Sequence, residues 1–210
     1  VIIAWDGSSW MGVTSFSPGV GGPSTVYITG LDVAAGKLFI GGLLAGQSGY
    51  YYDGTTVTYA GLAGDWIYAF AEYDGAVYEG GFNPVVGRYN GGTSWTYHSG
   101  GSSAWQAAVP YDLEVYGDVL VVAGGLDGFV DPPNLYLITW DGANWSTLGT
   151  GVNGIIEALA VKDGRLFAAG QFSTADGNPA SRIAQWSETP VTVRKSTLGA
   201  VKALYSGQKR

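Results

Sequence analysis

The sequence predicts an all-β chain folded as a β-propeller of four-stranded antiparallel blades. Three observations carry that reading. An apolar strand ending in an aromatic, followed by Asp-Gly or a close relative, recurs with its aromatics at positions 5, 52, 89, 140 and 186, separated by 47, 37, 51 and 46 residues. Between successive copies lies a second block of two short apolar strands about a tight turn, the second ending in Gly-Gly or nearly so. No segment sustains an apolar period of 3.6 residues, the signature of an amphipathic helix. Four short strands repeated every 40 to 50 residues describe propeller blades, whereas stacked β-helices repeat at shorter periods.

The elements follow in chain order. Residues 3–16, opening with Ile3-Ala4-Trp5-Asp6-Gly7, supply the two outer strands of one blade. The next blade turns at Ala35-Gly36, reaches Gly41-Gly42 and continues through Tyr51-Tyr52-Asp53-Gly54. A second full blade turns at Asp74-Gly75, reaches Gly80-Gly81 and passes Arg88-Tyr89-Asn90-Gly91. The third uses Gly117-Asp118, Gly124-Gly125 and Thr139-Trp140-Asp141-Gly142. In the fourth, Ala158-Leu159-Ala160-Val161 turns at Asp163-Gly164 into Leu166-Phe167-Ala168-Ala169-Gly170, and Ile183-Ala184-Gln185-Trp186 closes the series. Asp-Gly supplies the positive φ angles that tight hairpins require. Val201 to Tyr205 reads as the inner strand of a fifth blade that lacks its second strand. The economical architecture is one domain over 1–210, a five-bladed ring closed by joining the two chain ends, with 194–210 a basic segment. The alternative is a fragment of a larger ring.

Composition narrows the chemistry. The 210 residues include no Cys and one His, which removes thiol-based zinc, iron–sulfur and redox sites and any multi-histidine metal centre. Charged residues make up 13% and hydrophobic ones 46%, a balance that suits a surface-exposed or secreted β-protein. The longest apolar runs, such as 119–123, fall far short of a membrane span. The start at Val1 reads as that of a processed or truncated product. Residues 1–193 hold all 17 acids and five of the ten bases, a balance of −12, which argues against nucleic acid as a partner. The other five bases, Arg194, Lys195, Lys202, Lys209 and Arg210, form a tail that could dock on an acidic neighbouring subunit, or simply be a solvated strand end.

Candidate site residues are those that the repeat does not demand. The Asp residues of the tight turns (Asp6, Asp53, Asp74, Asp141, Asp163) read as turn formers, and the recurrent aromatics Trp5, Tyr52, Tyr89, Trp140 and Trp186 as core. Connections on the opposite face vary in length and content: 14–25, 43–49, 61–66, 98–105, 126–134, 149–154 and 173–181. Variable loops on a rigid scaffold are where binding residues concentrate. Asp65-Trp66, Tyr97-His98 with Trp105, and Phe129 with Asp131 stand out there. Aromatic faces beside carboxylates suit a sugar ring, which stacks its C–H face while its hydroxyls bond polar groups. Packing between blades is the competing role for Trp66 and Trp105. Calcium at Asp127 and Asp131 is a weaker option. A glycoside-cleaving enzyme would need paired carboxylates drawn from Asp65, Glu72, Glu79, Asp112, Glu114 and Glu157, with Glu79 and Glu157 placed to point into the channel.

The strand ending in Gly-Gly, the aromatic-Asp strand, and the Trp that opens the following strand (Trp10, Trp95, Trp145) together resemble the kelch and galactose-oxidase type of blade. The nearest variant is the bacterial and phage one with Trp-Asp-Gly-x-x-Trp, at Trp5 to Trp10 and Trp140 to Trp145. Val57 replaces the second Trp in one copy, and Ser187-Glu188 replaces Asp-Gly in the last. Copper-oxidase chemistry in that wider family needs two His and a Cys–Tyr cross-link, which this chain, with His98 and no Cys, does not supply. The resemblance implies a scaffold and leaves activity open. The resulting expectation is a non-catalytic binding or structural module on a virion or bacterial cell surface, an extracellular adhesin that recognises a glycan or protein through its variable-loop face. The alternatives are a glycoside hydrolase or lyase and a purely structural assembly subunit.

Overall fold

In the computed structural model, the described residues are 2–14, 27–44, 47–61, 66–82, 86–98, 108–126 and 136–187, and they are strands and turns without a helix. Strands β1 (Ile2–Trp5) and β2 (Trp10–Thr14) form a two-stranded sheet. Blade 1 comprises β3 (Tyr27–Ala34), β4 (Lys37–Leu44), β5 (Gln47–Tyr52) and β6 (Val57–Tyr59). Blade 2 comprises β7 (Trp66–Tyr73), β8 (Ala76–Phe82), β9 (Val86–Gly91) and β10 (Ser94–Tyr97). Blade 3 comprises β11 (Val109–Tyr116), β12 (Val119–Gly125), β13 (Leu137–Trp140) and β14 (Trp145–Thr147). Blade 4 begins with β15 (Ile156–Lys162) and β16 (Arg165–Gly170). A small hairpin of β17 (Thr174–Ala175) and β18 (Asn178–Pro179) follows, and β19 (Ile183–Trp186) pairs with β16. Every pairing is antiparallel, between chain neighbours except for β16 with β19, and β3, β7, β11 and β15 stand side by side as the innermost strands. Four antiparallel blades are thus arranged as a β-propeller, and the β1–β2 sheet packs Val13 against Ile40 of blade 1.

The repeated motif is a turn. Asp6, Asp53 and Asp141 each aim one carboxylate oxygen at the backbone amides two and three residues ahead, at 2.6–2.9 Å. Gly7, Gly54 and Gly142 then take φ near +100° (101, 98 and 96), a conformation open to glycine. The carboxylates are held below the usual range by those amides, Asp6 down to about 2. The aromatics flanking the turn are cross-strand partners: Trp5 with Trp10, Tyr89 with Trp95, Trp140 with Trp145, and Tyr52 with Val57 in the copy that lacks the second Trp. Trp140 and Trp145 pack with ring centroids 4.8 Å apart, as do Tyr89 and Trp95. The turns joining the two innermost strands work differently. Ala35, Asp74 and Asp163 themselves adopt φ of +48, +49 and +52, each followed by a glycine at +68.

The Gly-Gly block marks a bulge. Each innermost strand carries one extra residue against its partner, between Ile28 and Gly30, Ile67 and Ala69, Pro110 and Asp112, and Ile156 and Ala158. Opposite lie Gly42, Gly81, Gly124 and Gly170. A Cβ at these four would run into the backbone carbonyl of Tyr27, Trp66, Val109 and Ile155 respectively. The shared glycine is the second of the pair in Gly41-Gly42, Gly80-Gly81 and Ala169-Gly170 but the first in Gly124-Gly125, and the residue before it is Gly41, Gly80, Ala123 or Ala169.

Apolar layers fill the spaces between blades. Phe39, Ile67, Phe70 and Val77 join blades 1 and 2; Tyr78, Leu113, Leu120, Val122 and Trp140 join blades 2 and 3; Val121, Leu159, Leu166 and Phe172 join blades 3 and 4. Side chains also clip neighbouring innermost strands together. Asp32 accepts from the Phe70 amide at 3.0 Å, Asp112 accepts from the Leu159 amide at 2.6 Å, and Thr29 donates to the Ile67 carbonyl at 2.6 Å.

Candidate functional site

The bulges set four equivalent residues, Thr29, Tyr68, Tyr111 and Glu157, at the same level of the innermost strands, near the end served by the variable connections. Tyr68 and Tyr111 meet edge to face with ring centroids 5.4 Å apart, and burial raises the Tyr68 hydroxyl pKa, with Tyr111 adding to the effect. Tyr27 and Trp66, the first residues of β3 and β7, make a second aromatic pair with centroids 5.8 Å apart. Tyr27 and Tyr111 are exposed, and Trp66 and Tyr68 half-buried. On the blade 4 side, Glu157 accepts a 2.6 Å hydrogen bond from Gln171. Together with Ala158, Ala169, Gly170 and Arg182 they line an open cleft of about 540 Å³. The rings of Tyr27, Trp66, Tyr68 and Tyr111 lie on the neighbouring innermost strands, outside the residues that line this polar cleft, so ring faces and hydrogen-bonding groups stand side by side.

Further along the innermost strands lie Asp32, Asp112 and Glu114. Burial pushes Asp112 up to about 6 against two backbone amides, those of Leu159 and Leu113, that pull it down. The charges of Glu114 and Asp32 add to the rise. Burial likewise raises Glu114, which bonds the Val115 and Val161 amides and feels Asp32. Their oxygens are thus occupied by strand backbone.

The structure sorts the sequence candidates. Trp66 belongs to the mouth. Tyr97 and His98 end the outermost strand of the same blade, three strand spacings or about 14 Å across the sheet from β7. His98 packs against Trp140 at 4.8 Å and Tyr78 at 6.0 Å, so it seals the boundary of blades 2 and 3, and burial lowers its pKa. Asp65, Trp105, Asp127, Phe129, Asp131 and the basic residues from Arg194 to Arg210 lie outside the described residues. Among the described residues no group of three or more His, Asp or Glu side chains is placed to hold a metal ion.

Glu79 corrects an expectation. It lies opposite Phe70, packed between blades 1 and 2, fully buried and away from the channel. Burial alone pushes its carboxyl up to about 8, and its Oε2 has no hydrogen-bond partner among the described residues. Two of the variable connections also pair with each other. Asn153 accepts from the Ser173 and Thr174 amides at 2.8 Å, and Asp176 accepts from Thr150, which ties 149–154 to 173–181.

Sequence reasoning missed Tyr68, Tyr111 and Tyr27. Only their position relative to the bulge glycine marks them, since the four bulge residues share no side-chain type.

No protein-family model matches this chain, and no curated protein does. Solved structures that resemble it include the computationally designed Ika4 protein, with 15% identity and a TM-score of 0.49 over 77% of this chain and 91% of that one. The computationally designed Ika8 protein has 16% identity and a TM-score of 0.49 over 80% of this chain. YCF48 bound to D1 peptide has 13% identity and a TM-score of 0.46 over 83% of this chain. The chain spans 47% of the Ika8 chain and 57% of the YCF48 chain.

Proposed function

We propose that this kelch-like propeller is a non-catalytic binding module that recognises a glycan at the mouth formed by Tyr27, Trp66, Tyr68, Tyr111 and Glu157. The observation carrying the reading is the aromatic row on the innermost strands, beside the Glu157–Gln171 pair. Rings on rigid strands lose little freedom on binding, and stacked C–H faces with directed hydrogen bonds suit a pyranose. A low charged fraction of 13% and an acidic body support a place on a virion or bacterial cell surface.

A glycan array with the intact chain tests this. Tyr111→Ala, at an exposed ring, should weaken the signal about tenfold while leaving the melting temperature nearly unchanged, since a well-placed aromatic contributes about 1 kcal/mol or more. Full retention of binding by Tyr111→Ala and Trp66→Ala would sink the assignment. Binding of a protein but no glycan would move the ligand class.

A hydrolytic reading has one observation in its favour, the elevated pair Asp112 and Glu114 beside Asp32. Against it, both Asp112 oxygens accept strand amides, at 2.6 and 2.9 Å, which makes the carboxylate a clip between blades. Polysaccharide turnover abolished by Asp112→Asn in a folded protein would establish that alternative.

A further inference from the structure

The cleft beside the aromatic row holds a cation that the repeat does not call for. Arg182 immediately precedes β19, and its carbonyl accepts the Gly170 amide at 3.0 Å, just as the Tyr136 carbonyl of blade 3 accepts the Gly124 amide at 3.0 Å. The two positions are equivalent, yet of the two Arg182 alone is left-handed, with a φ of +63. Residues other than glycine rarely adopt that conformation, and where one does the surrounding structure holds it there. Here the hold comes from the preceding hairpin. The Ala180 amide bonds the Ser173 carbonyl at 2.8 Å, two residues before Arg182, so little chain remains in which to turn back into β19. Arg182 is exposed and lines the cleft with Glu157 and Gln171. Its guanidinium has no ion-pair or hydrogen-bond partner among the described residues. The other four described bases lie elsewhere. Lys37, Lys162 and Arg165 flank the turns of innermost hairpins, at the far end from the bulges, and Arg88 bonds Asn90 on β9.

Solvent reaches the cleft because it opens on the trailing flank of blade 4, where Ile183, next to Arg182, is 44% exposed while its counterpart Leu137 is 5%. The leading flank of blade 1 is open in the same way, with Leu31 at 53% where Phe70, Leu113 and Leu159 are 3%, 4% and 8%. At about 540 Å³ the cleft has the room of a small-molecule site. Its one acid is partly engaged, since Gln171 donates to Glu157 Oε1 at 2.6 Å and Oε2 is left to accept. We infer that, given glycan recognition at the mouth, this cleft is the subsite for a carboxylate-bearing sugar, a hexuronic acid within the glycan. The planar guanidinium of Arg182 takes the sugar carboxylate as a bidentate pair, and Glu157 accepts from ring hydroxyls. A hexuronic acid supplies both complements on one ring, whereas a neutral sugar leaves the cation to water. Glu157 also disfavours a group of higher charge such as a phosphate, because a single guanidinium cannot balance it against a neighbouring carboxylate.

The full chain is tested on an array of neutral, uronic-acid and sulfated oligosaccharides, with carboxyl-reduced copies of the uronic-acid set. Uronic-acid glycans should bind best, and Arg182→Gln should weaken them about tenfold while leaving neutral glycans and the melting temperature nearly unchanged. Carboxyl reduction should weaken binding to the unaltered chain by the same factor and have no effect on Arg182→Gln. Arg182→Gly, which accepts the left-handed backbone, should lose the same binding and melt no lower than the unaltered chain. Neutral glycans bound through Tyr111 with no preference for uronic acids and no response to Arg182→Gln would overturn the inference and leave glycan recognition standing. Preference for sulfated over carboxylated glycans would overturn the carboxylate, and binding of no glycan at all would overturn both.

Discussion

At Glu79 the propeller places a carboxyl where the other blades place Ile40, Val122 and Ala168. Its cross-strand partner is Gly87, where the others have Tyr50, Ile138 and Ala184, so the longer side chain lies over a missing one. The volume balances; the charge does not. A group whose folded pKa of about 8 exceeds its unfolded 4.5 favours the folded state fully below pH 4.5. That contribution fades as pH climbs from 4.5 and is lost on passing 8. Glu79→Gln should therefore melt close to the wild type at pH 4 and well above it at pH 9. The difference at full ionisation is on the order of 5 kcal/mol, from ~1.4 kcal/mol per pKa unit. Melting curves at pH 4, 7 and 9 check it, and an unchanged pH slope would show that the carboxyl finds an unseen partner. The turn aspartates have the opposite sign. Asp6, Asp53 and Asp141, held low by their amides, lose their contribution as pH falls through those depressed values.

Within a blade, the bulge glycine governs geometry more than any side chain does. Gly124→Ala would drive a methyl into the Val109 carbonyl, so the backbone must shift, at a cost of about 2–3 kcal/mol. Gly117→Ala, at a turn with open space around it, should cost less and chiefly through its φ of +63. Chemical denaturation of both variants compares the two. The same contrast explains what was legible in the sequence. Aromatic-Asp-Gly turns are local chemistry, a carboxylate bonding amides two and three residues on, so Asp6, Asp53 and Asp141 could be read directly. The inner-strand turns were legible as well, though Asp74 and Asp163 act through their backbone φ. The mouth was legible only in part, through Trp66 and Glu157; Tyr27, Tyr68 and Tyr111 were not, because the bulge positions Thr29, Tyr68, Tyr111 and Glu157 are united by a register shift that leaves no shared residue type. Counting back from the clashing glycine across the hairpin would have found them. The hairpin β17–β18 was hidden for a related reason: Asn153 and Asp176 bond to distant loops, which sequence spacing does not reveal.

Taken whole, the ring has two apolar flanks built to the same pattern, one leading on blade 1 and one trailing on blade 4. Leu31→Asp should make the leading flank polar without touching the other blades. Light scattering should then show weaker association at a given protein concentration than the unaltered chain shows. The form of that association follows from the flanks themselves. The trailing side of one molecule complements the leading side of the next instead of its own counterpart, so the contact is head to tail and lacks two-fold symmetry. Such contacts close into rings only when the rotation per molecule divides a full turn, and otherwise run on as helical filaments. Each added molecule carries an uncovered flank forward to recruit another. Whether Leu31, Val33 and Ile183 are covered thus separates a discrete particle from an open-ended polymer.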